Sequence, residues 1–414
     1  MNSCSNTAGK ATKNKEPICD TALQGFKYFK VLWPLLKELH SVRDHPQRLL
    51  HYDQYISLIL FYFFNPVIES LRAIREVSQL EKVRRVLGIH STSLGSLSEA
   101  GNVFDYKLLT PILKGLAEKA IPLETDFRLK GLEKVLTAFD GTLLPALPKM
   151  LWALWLDEKH KAAKLHLEFN IVKGAPTKAY ITDAKANEKT IFRKALSKGK
   201  LYVVDAGYAD YHLLQDIKDA ESSFVVRLRE NAVWDTLYER ELTLEDRKAG
   251  VKRDLVVRLG CDSKKHELSD PVRLVEIHHF DPINRPRPLR VSSKKTFRTK
   301  DSEYDLLLAT DLLDLSADLI AMIYRYRWQI ELFFRWFKCV LKCKHLLSLS
   351  ENGVAIQVYC ALIASLLISL WSGRKPTKRI FEMICLHMQG WASDEELEKY
   401  LKTFKKAENQ KNNS

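Results

Sequence analysis

The stretch KLYVVDAGY, residues 200–208, is a run of mostly apolar residues that ends on an acid and a glycine. A strand without alternation of polar and apolar residues is typical of the centre of a sheet that is covered on both faces. The stretch therefore predicts a buried central strand, with Asp205 at its carboxyl end.

Three segments upstream of this strand predict a meander. KVLTAFD (134–140) is a short apolar run that closes on Asp140. KLHLEFNIV (164–172) alternates strictly between apolar and polar residues, as a half-buried strand does. TKAYITD (177–183) follows after a Gly-Ala-Pro turn, so these two segments should pair as a hairpin.

Helical segments at 187–198 and 210–220 flank the central strand, and SSFVVRLRE (222–230) reads as a fifth strand. The order predicts three strands, then helix, strand, helix and strand, which is an α/β core. Short alternating segments follow, so that residues 233–302 are predicted to be a β-rich insertion before the chain returns to the core. These segments are DLVVRL, VRLVEIHH, PLRVSS and YDLLLAT.

The regions outside this core are predicted to be mostly helical. Residues 80–102 contain a short basic helix that ends at Gly88, followed by serines able to cap a second helix. This pattern suits a helix-turn-helix, and two packed helices without a DNA role fit it equally well. The uncharged run 353–371 is barely long enough to span a membrane and is interpreted as a buried helix.

The sequence thus predicts six regions. They are a tail (1–20), a helical N-terminal domain (21–125), an α/β core (126–232 and 303–345), the β-rich insertion (233–302), a helical C-terminal region (346–402) and a second tail (403–414).

Charge and cysteine content narrow the class of protein. The chain of 414 residues has a net charge of +14, which favours a polyanionic partner, nucleic acid before a membrane surface. Its seven cysteines are an odd number without framework spacing, which indicates reduced thiols in a cytosol-like compartment. The polar N-terminus lacks the apolar core of a signal peptide.

The segment YRYRWQIELFFRWFKCVLK, residues 324–342, predicts one helix with a basic stripe around a single acid. At about 100° per residue, Tyr324, Arg327, Glu331 and Lys338 lie in one narrow arc. Arg335 falls in the same arc. An ordinary amphipathic helix with ion pairs four residues apart is the simpler alternative.

Three acids are candidates for one metal site: Asp140 and Asp205 at strand ends, and Glu331 on the helix. A carboxylate at the end of a buried strand is costly unless it is paired or binds a metal. Mg²⁺ prefers oxygen ligands and leaves positions open for phosphate. A pair of such ions suits chemistry on a phosphodiester.

These residues carry a resemblance to a known family. The strand order and the acids resemble the RNase H-like fold of DDE transposases. The spacing Tyr324-x2-Arg327-x3-Glu331-x6-Lys338 resembles the Tyr-Arg-Glu-Lys signature of the insertion-sequence-four family of bacterial transposases. The pieces FDGTLL and AKLHLEFN, and the long segment around Asp205, look similar too. The resemblance covers about residues 131–345 and is weaker outside them.

The resemblance implies a cut-and-paste transposase, with residues 21–125 as a DNA-binding domain and residues 126–232 and 303–345 as an RNase H-like catalytic core. Asp140, Asp205 and Glu331 would bind two Mg²⁺ ions, with Mn²⁺ able to substitute. Tyr324, Arg327 and Lys338 would hold phosphates around the scissile bond. The partners implied are double-stranded DNA, as terminal inverted repeats and as target, and a second copy of the chain in a synaptic dimer. The location implied is cytoplasmic, on the nucleoid.

Several residues near these positions keep two interpretations. Trp328 could stack on a flipped base or pack in the core. Arg335, Arg227 and Arg229 could contact DNA or lie on solvated surfaces. His160 and His166 are interpreted as structural, because Mg²⁺ disfavours imidazole.

Three other functions compete with the transposase. One is an unrelated metal-dependent nuclease, and another is a catalytically idle DNA-binding relic of a transposase. A membrane protein built around 353–371 is the third, and the lack of a second span argues against it.

Overall fold

The structure is a computed structural model. It describes residues 36, 39–42, 48–123, 126–155, 157, 160–260, 268, 270–279, 304–341, 343 and 345–412. The expected N-terminal tail (1–20) and the predicted strand PLRVSS (288–293) lie outside the described residues.

The described residues form fourteen α-helices and two 3₁₀ turns, the latter at Tyr106–Leu109 and Ala206–Tyr208. The helices are α1 (Tyr52–Phe64), α2 (Leu71–Ser78), α3 (Glu81–Leu87), α4 (Leu94–Val103), α5 (Thr110–Lys119), α6 (Phe127–Lys130), α7 (Glu188–Ala195), α8 (Tyr211–Asp219), α9 (Leu244–Lys248), α10 (Ala317–Tyr326), α11 (Trp328–Cys339), α12 (Glu351–Ser372), α13 (Lys378–Met388) and α14 (Asp394–Asn412).

Nine strands of the described residues form a single mixed sheet in the order β3-β2-β1-β4-β5-β9-β8-β7-β6. The strands are β1 (Val135–Ala146), β2 (Lys161–Asn170), β3 (Ala175–Asp183), β4 (Lys200–Val204), β5 (Ser223–Arg227), β6 (Trp234–Glu239), β7 (Val251–Leu259), β8 (Val272–His279) and β9 (Tyr304–Thr310).

The first five strands have the order that the sequence predicts. β1, β2 and β3 pair antiparallel as a meander, and β4 and β5 add in parallel to β1. β4 lies between β1 and β5, and four of its five residues are buried, which confirms a central strand. The structure is therefore a mixed α/β fold around a large sheet.

The position of Asp140 differs from the prediction. β1 continues to Ala146, so Asp140 lies in the middle of a strand, level with Leu167 of β2. Only the parallel pairing of β1 with β4 stops early, at Ala138 and Val203. Extending this register by two residues places Asp140 beside Asp205, which directly follows β4. Among the described strands, β2 is the one that pairs with the extra length of β1.

The half-buried strand predicted from the alternation in β2 is also wrong. The centre of its polar face is buried like its apolar face, since His166 and Glu168 are both fully buried. Glu168 is stabilised there by the Thr177 hydroxyl, 2.7 Å from its Oε1, and by the Lys200 ammonium at 2.5 Å. Buried polar groups with such partners keep a polar alternation in a strand that solvent does not reach.

Strands β6, β7 and β8 continue the same sheet beyond β9, with antiparallel pairing throughout. β9 joins the two halves because it pairs with both β5 and β8. The described residues of the segment predicted as an insertion are thus an extension of the central sheet.

Helices cover both faces of the sheet. On one face, Phe139 stacks on Phe192 of α7, with ring centroids 4.5 Å apart. On the other face, Phe169 contacts Phe333 of α11, with centroids 5.2 Å apart. Phe139 points to the α7 face. Because successive residues of a strand point to opposite faces, the next residue, Asp140, points to the α11 face.

The segment 324–342 is two helices instead of the single helix predicted. The break is at Arg327, where the N–H donates to the Tyr324 carbonyl and the Arg327 carbonyl accepts from Ile330 N–H, both three residues apart. Arg327 keeps right-handed helical dihedral angles, so the backbone forms a single 3₁₀ turn there and then continues as an α-helix. α11 ends at Cys339, and Lys342 lies outside the described residues.

Helix α12 contains the apolar run 353–371. Among the described helices it is the one long and apolar enough to cross a membrane, but 94% of its most apolar window is buried inside the protein. It packs on α5 and β3, and its Tyr359 hydroxyl donates to the Ala179 carbonyl at 2.8 Å. These contacts are those of a core helix.

The chain divides into two compact units, one of residues 1–94 and 382–414, the other of residues 95–381. This division falls earlier than the boundary at 125 expected from the sequence, because α5 packs on α12 and β3. α3 ends at Gly88, whose φ of 65° is left-handed, as predicted. The division falls at the first residue of α4, the second helix of the predicted helix-turn-helix. Residues 403–412, expected as a tail, belong to α14.

Candidate active site

Three carboxylates come from three different elements. Asp140 lies in β1, Asp205 follows β4, and Glu331 is in the first turn of α11. Their side chains are 25%, 45% and 30% exposed, so all three can be reached by a ligand from solvent.

The guanidinium of Arg327 links two of these acids. Its Nη2 donates to Glu331 Oε1 at 2.6 Å, and its Nη1 is 3.9 Å from Asp140 Oδ2. The Arg327–Glu331 pair is the one expected of an ordinary amphipathic helix. The approach to Asp140 crosses from the helix to the sheet, which pairing along one helix does not predict.

Asp205 is bound by two other side chains. The Tyr324 hydroxyl donates to Asp205 Oδ1 at 3.3 Å, and Arg227 Nη1 is 3.8 Å from the same oxygen. Burial raises the pKa of Tyr324 to about 12 despite the opposing effect of Arg327, so its hydroxyl stays protonated and remains a donor. Arg327 lies 5.5 Å from the centre of the Tyr324 ring, within reach of a cation–π contact.

The carboxyl of Asp140 is a weaker acid than an ordinary aspartate. Burial raises its pKa to about 6, against the effects of the Gly141 N–H, which donates to Oδ1 at 2.7 Å, and of Arg327. The neighbouring charges of Glu331 and Glu188 add to the rise. A bound cation would offset this repulsion.

The remaining predicted residues lie at different distances from the acids. Lys338 Nζ donates to Thr142 Oγ1 at 2.9 Å, two residues along β1 from Asp140. Trp328 is half-buried, and within the described chain no hydrogen bond or ring contact is found for it. Arg335 and Arg229 are exposed, and neither forms an ion pair with the three acids.

Neither candidate histidine joins the acids. His166 is fully buried, with Nε2 3.0 Å from Thr182 Oγ1, and burial lowers its pKa to about 4. His160 is exposed and pairs with Asp157, 2.8 Å away. Both therefore have protein partners of their own.

A profile of the family described as "Transposase DDE domain" matches residues 131–367. The chain belongs to this family. In this DDE-family protein, the matched range contains the three carboxylates of the site and also Arg327 and Lys338.

Curated relatives include insertion-sequence proteins. The chain is 30% identical over 252 residues to the y4zB protein of Sinorhizobium fredii, named as a transposase, covering 60% of this chain and 64% of that one. It is 25% identical over 225 residues to the protein named for element IS5377 of Geobacillus stearothermophilus, covering 53% and 52%. It is 22% identical over 286 residues to the protein named for element IS4SA of Synechocystis sp., covering 68% and 72%.

The chain thus spans 64% and 52% of the length of the first two relatives. Among solved structures, it is similar to a piggyBac transposase synaptic complex with hairpin DNA, with 11% identity and a TM-score of 0.39. That likeness covers 92% of this chain and 84% of the other.

Two residues of this DDE-family site were missed from the sequence. Glu188, at the start of α7, pairs with Lys164 and raises the pKa of Asp140 through its charge. The Thr142 hydroxyl accepts a hydrogen bond from the Lys338 ammonium. No spacing signals Glu188, because its charge acts on Asp140 through space from α7, on the other face of the sheet. Thr142, two residues from Asp140, could have been found from the strand alternation.

The donor chemistry of the site suits a hard cation, since its three acids are carboxylates. In the described part of the chain, however, no three His, Cys, Asp or Glu side chains are close enough together to hold one metal ion. Arg327 lies between Asp140 and Glu331 and neutralises part of their charge. Binding of a metal would therefore require Arg327 to move away from the acids.

Proposed function

We propose that this chain is a transposase that binds the ends of an insertion sequence and catalyses metal-dependent strand cleavage and strand transfer. The observation that carries the proposal is the contact of Arg327 with both Glu331 and Asp140, beside the bond from Tyr324 to Asp205. Together, these contacts bring side chains from β1, α10, α11 and the end of β4 into one site of acids and cations. The family match and the strand order of an RNase H-like core with a β-rich extension support it.

In this proposal Asp140, Asp205 and Glu331 hold two Mg²⁺ ions, or Mn²⁺ in their place. Bound there, the ions would activate the attacking oxygen and stabilise the leaving oxygen of the phosphodiester. The Tyr324 hydroxyl orients Asp205 through its hydrogen bond. The burial of Asp140 favours its binding to a cation over remaining a free charge.

Arg327 and Lys338 bind phosphates next to the scissile bond. Arg327 Nε is buried and has no hydrogen-bond partner among the described residues, although its Nη atoms are engaged. A phosphate oxygen would satisfy this donor. Lys338, whose partner among the described residues is the neutral Thr142 hydroxyl, can transfer its charge to DNA at little cost.

DNA would extend from this site over further residues. We assign Trp328 to stacking on a base near the cut, and Arg335, Arg227 and Arg229 to the DNA backbone. The net charge of +14 supports a nucleic-acid partner. Terminal inverted repeats and target DNA are the duplexes bound, two copies of the chain form the synaptic complex, and the reaction takes place on DNA in the cytoplasm.

The proposal is tested with Asp140→Ala, Asp205→Ala and Glu331→Ala on duplexes from the DNA that flanks the gene. Each variant should lose Mg²⁺-dependent cleavage and keep binding to the end, because these carboxylates hold metal, not phosphate. Glu230→Ala, which removes an exposed acid just beyond β5, is the control and should cleave normally. Circular dichroism checks the fold.

Cleavage above about one per cent of the unaltered protein would remove the substituted residue from the site. Cleavage by the unaltered chain without joining of 3′ ends to target DNA would instead indicate a nuclease. Binding without any cleavage would indicate a transposase relic.

A further inference from the structure

The N-terminus of α10 is capped by a residue far away in the sequence. Ser316 occupies the N-cap position, but its side chain makes no capping hydrogen bond. Instead, Asp246 of α9 accepts a hydrogen bond from the Asp318 N–H at 2.8 Å. A carboxylate at this end of a helix also interacts favourably with the helix dipole.

Asp246 is itself held in a fixed orientation. It is only 4% exposed, and its second oxygen accepts from the Thr243 N–H at 2.9 Å and from the Thr243 hydroxyl at 2.8 Å. With both oxygens engaged, the carboxylate cannot rotate without breaking a bond. The cap therefore fixes the start of α10 relative to α9.

The loop that leads into α10 is fixed by a second buried group. Arg273 of β8, 1% exposed, binds Asp254 of β7 through Nε at 2.7 Å and Nη2 at 2.6 Å. Its Nη1 donates to the carbonyls of Leu313 and Leu315. A bidentate pair of this kind holds the guanidinium plane, and through it the loop backbone.

The far end of α10 is attached to the same region. Arg325 Nη2 donates to the Ala249 carbonyl, just after α9, at 2.6 Å. Arg325 directly follows Tyr324, which binds Asp205. The helix is thus held at its start and at its last turn by the segment that contains α9, β7 and β8.

We propose that Asp246, Arg273 and Arg325 are positioning residues that set α10, and through it Arg327 and Glu331, opposite Asp140 and Asp205. This inference rests on the proposed function. A helix is a stiff rod, so a shift at the start of α10 is carried along to Tyr324. The hydrogen bonds across the 3₁₀ turn at Arg327 carry it on to Glu331 in α11. Displacement of a catalytic group by about 1 Å can cost on the order of a hundredfold in rate.

The buried pair suits a positioning role better than a stabilising one. Removing two ions from water costs about as much as their attraction returns, so a buried ion pair often adds little net stability. The Arg273–Asp254 pair fixes the orientation of the guanidinium, so that its Nη1, which Asp254 does not bind, donates to two loop carbonyls.

The test compares Asp246→Ala with Asp246→Asn, whose amide oxygen can still accept from the Asp318 N–H. Mn²⁺ binding is measured by electron paramagnetic resonance of free Mn²⁺, on the protein bound to a duplex from the DNA flanking the gene. The half-saturating Mg²⁺ for cleavage and the melting temperature are measured in parallel. Asp210→Ala, which removes the cap from the Leu213 N–H of α8, is the matched control.

We expect Asp246→Ala to weaken Mn²⁺ binding and raise the half-saturating Mg²⁺ by about tenfold, as loss of groups that orient metal ligands does. Asp246→Asn should recover part of this loss, because its amide oxygen keeps the bond from the Asp318 N–H while its NH2 cannot accept from the Thr243 N–H. Asp210→Ala should lower the melting temperature and leave Mn²⁺ binding unchanged. If Asp246→Ala does not fold, Arg325→Ala, at an exposed position, is judged by the same measurements.

A lower melting temperature with unchanged Mn²⁺ binding in Asp246→Ala would overturn the positioning role. So would equal losses of Mn²⁺ affinity in Asp246→Ala and Asp210→Ala. An unaltered protein that neither binds Mn²⁺ nor cleaves DNA would instead overturn the proposed function.

Discussion

At the scale of single residues, Arg327 is the centre of the candidate site. It pairs with Glu331, approaches Asp140 and lies against the Tyr324 ring, and yet its buried Nε has no partner within the described chain. A cation placed among acids and left with a free donor can exchange its carboxylate partners for phosphate.

Arg327→Ala and Lys338→Ala should each weaken binding to end DNA. Because each would remove one phosphate contact, the slope of log affinity against log salt should fall by roughly one counterion in each variant. Binding is measured by fluorescence anisotropy over a series of salt concentrations. Lys194→Ala, an exposed cation of α7 on the opposite face of the sheet, is the control. An unchanged slope would show that Arg327 and Lys338 do not contact phosphates and are ordinary residues of the helix surface.

Trp328→Ala should allow the first nick and slow hairpin closure, whereas Trp328→Phe should largely preserve closure. Unstacking a base costs a few kcal/mol, and an aromatic face can return roughly 1–3 kcal/mol of that. The half-buried position of Trp328 beside Arg327 leaves part of its ring available. A gel-resolved time course on a labelled end separates the two steps. Equal slowing of nicking and closure, or loss of the fold, would assign Trp328 to the core.

At the scale of elements, the site depends on how α10, α11 and α12 are joined. The break at Arg327 separates the helix that binds Asp205 from the helix that carries Glu331. After α11, the connector to α12 is tied by Ser350, which accepts from the Gly353 N–H at 3.1 Å and donates to the Gly101 carbonyl at 3.1 Å. The close approach at Gly353 leaves no room for a side chain.

Gly353→Ala should destabilise the protein, because a methyl group there would overlap the Ser348 side chain. Overpacking of this kind costs about 1–3 kcal/mol. Gly115→Ala, in α5 with nothing within 4 Å of the added carbon, should instead stabilise by about 0.5–1 kcal/mol through helix propensity. Urea unfolding measures both. A shift of both midpoints in the same direction would contradict the packing described for Gly353.

At the scale of the whole molecule, a sheet of nine strands and the core helix α12 organise the larger unit. α12 packs on α5 and β3, and most of its residues are buried inside the protein. A helix that is apolar all round needs such burial, and here the protein supplies it.

Ala361→Asp, in the middle of α12, should abolish cooperative unfolding, because it would bury an unpaired charge at a position that is 0% exposed. Thr190→Asp, exposed in the first turn of α7, is the control and should fold normally. The unaltered protein should stay in the supernatant after ultracentrifugation without detergent. A folded Ala361→Asp, or sedimentation of the unaltered protein with membranes, would contradict the core assignment.

Elements whose signal is local follow from the amino-acid sequence alone. The meander, the central strand before Asp205, the C-cap at Gly88 and the family signature each depend on neighbouring residues, through strand or helix periodicity and turn chemistry. The four signature residues could be named because their spacing is fixed along one segment.

Features that depend on partners distant in sequence emerge from the folded chain and not from its local patterns. β1 runs past Asp140 because β2 supports it, and β2 is buried on both faces because Thr177 and Lys200 pair with Glu168. The influence of Glu188 on Asp140 and the cap of α10 by Asp246 arise the same way. A hydrogen bond or a charge acts through space, so its effect cannot be read from a residue's neighbours along the chain.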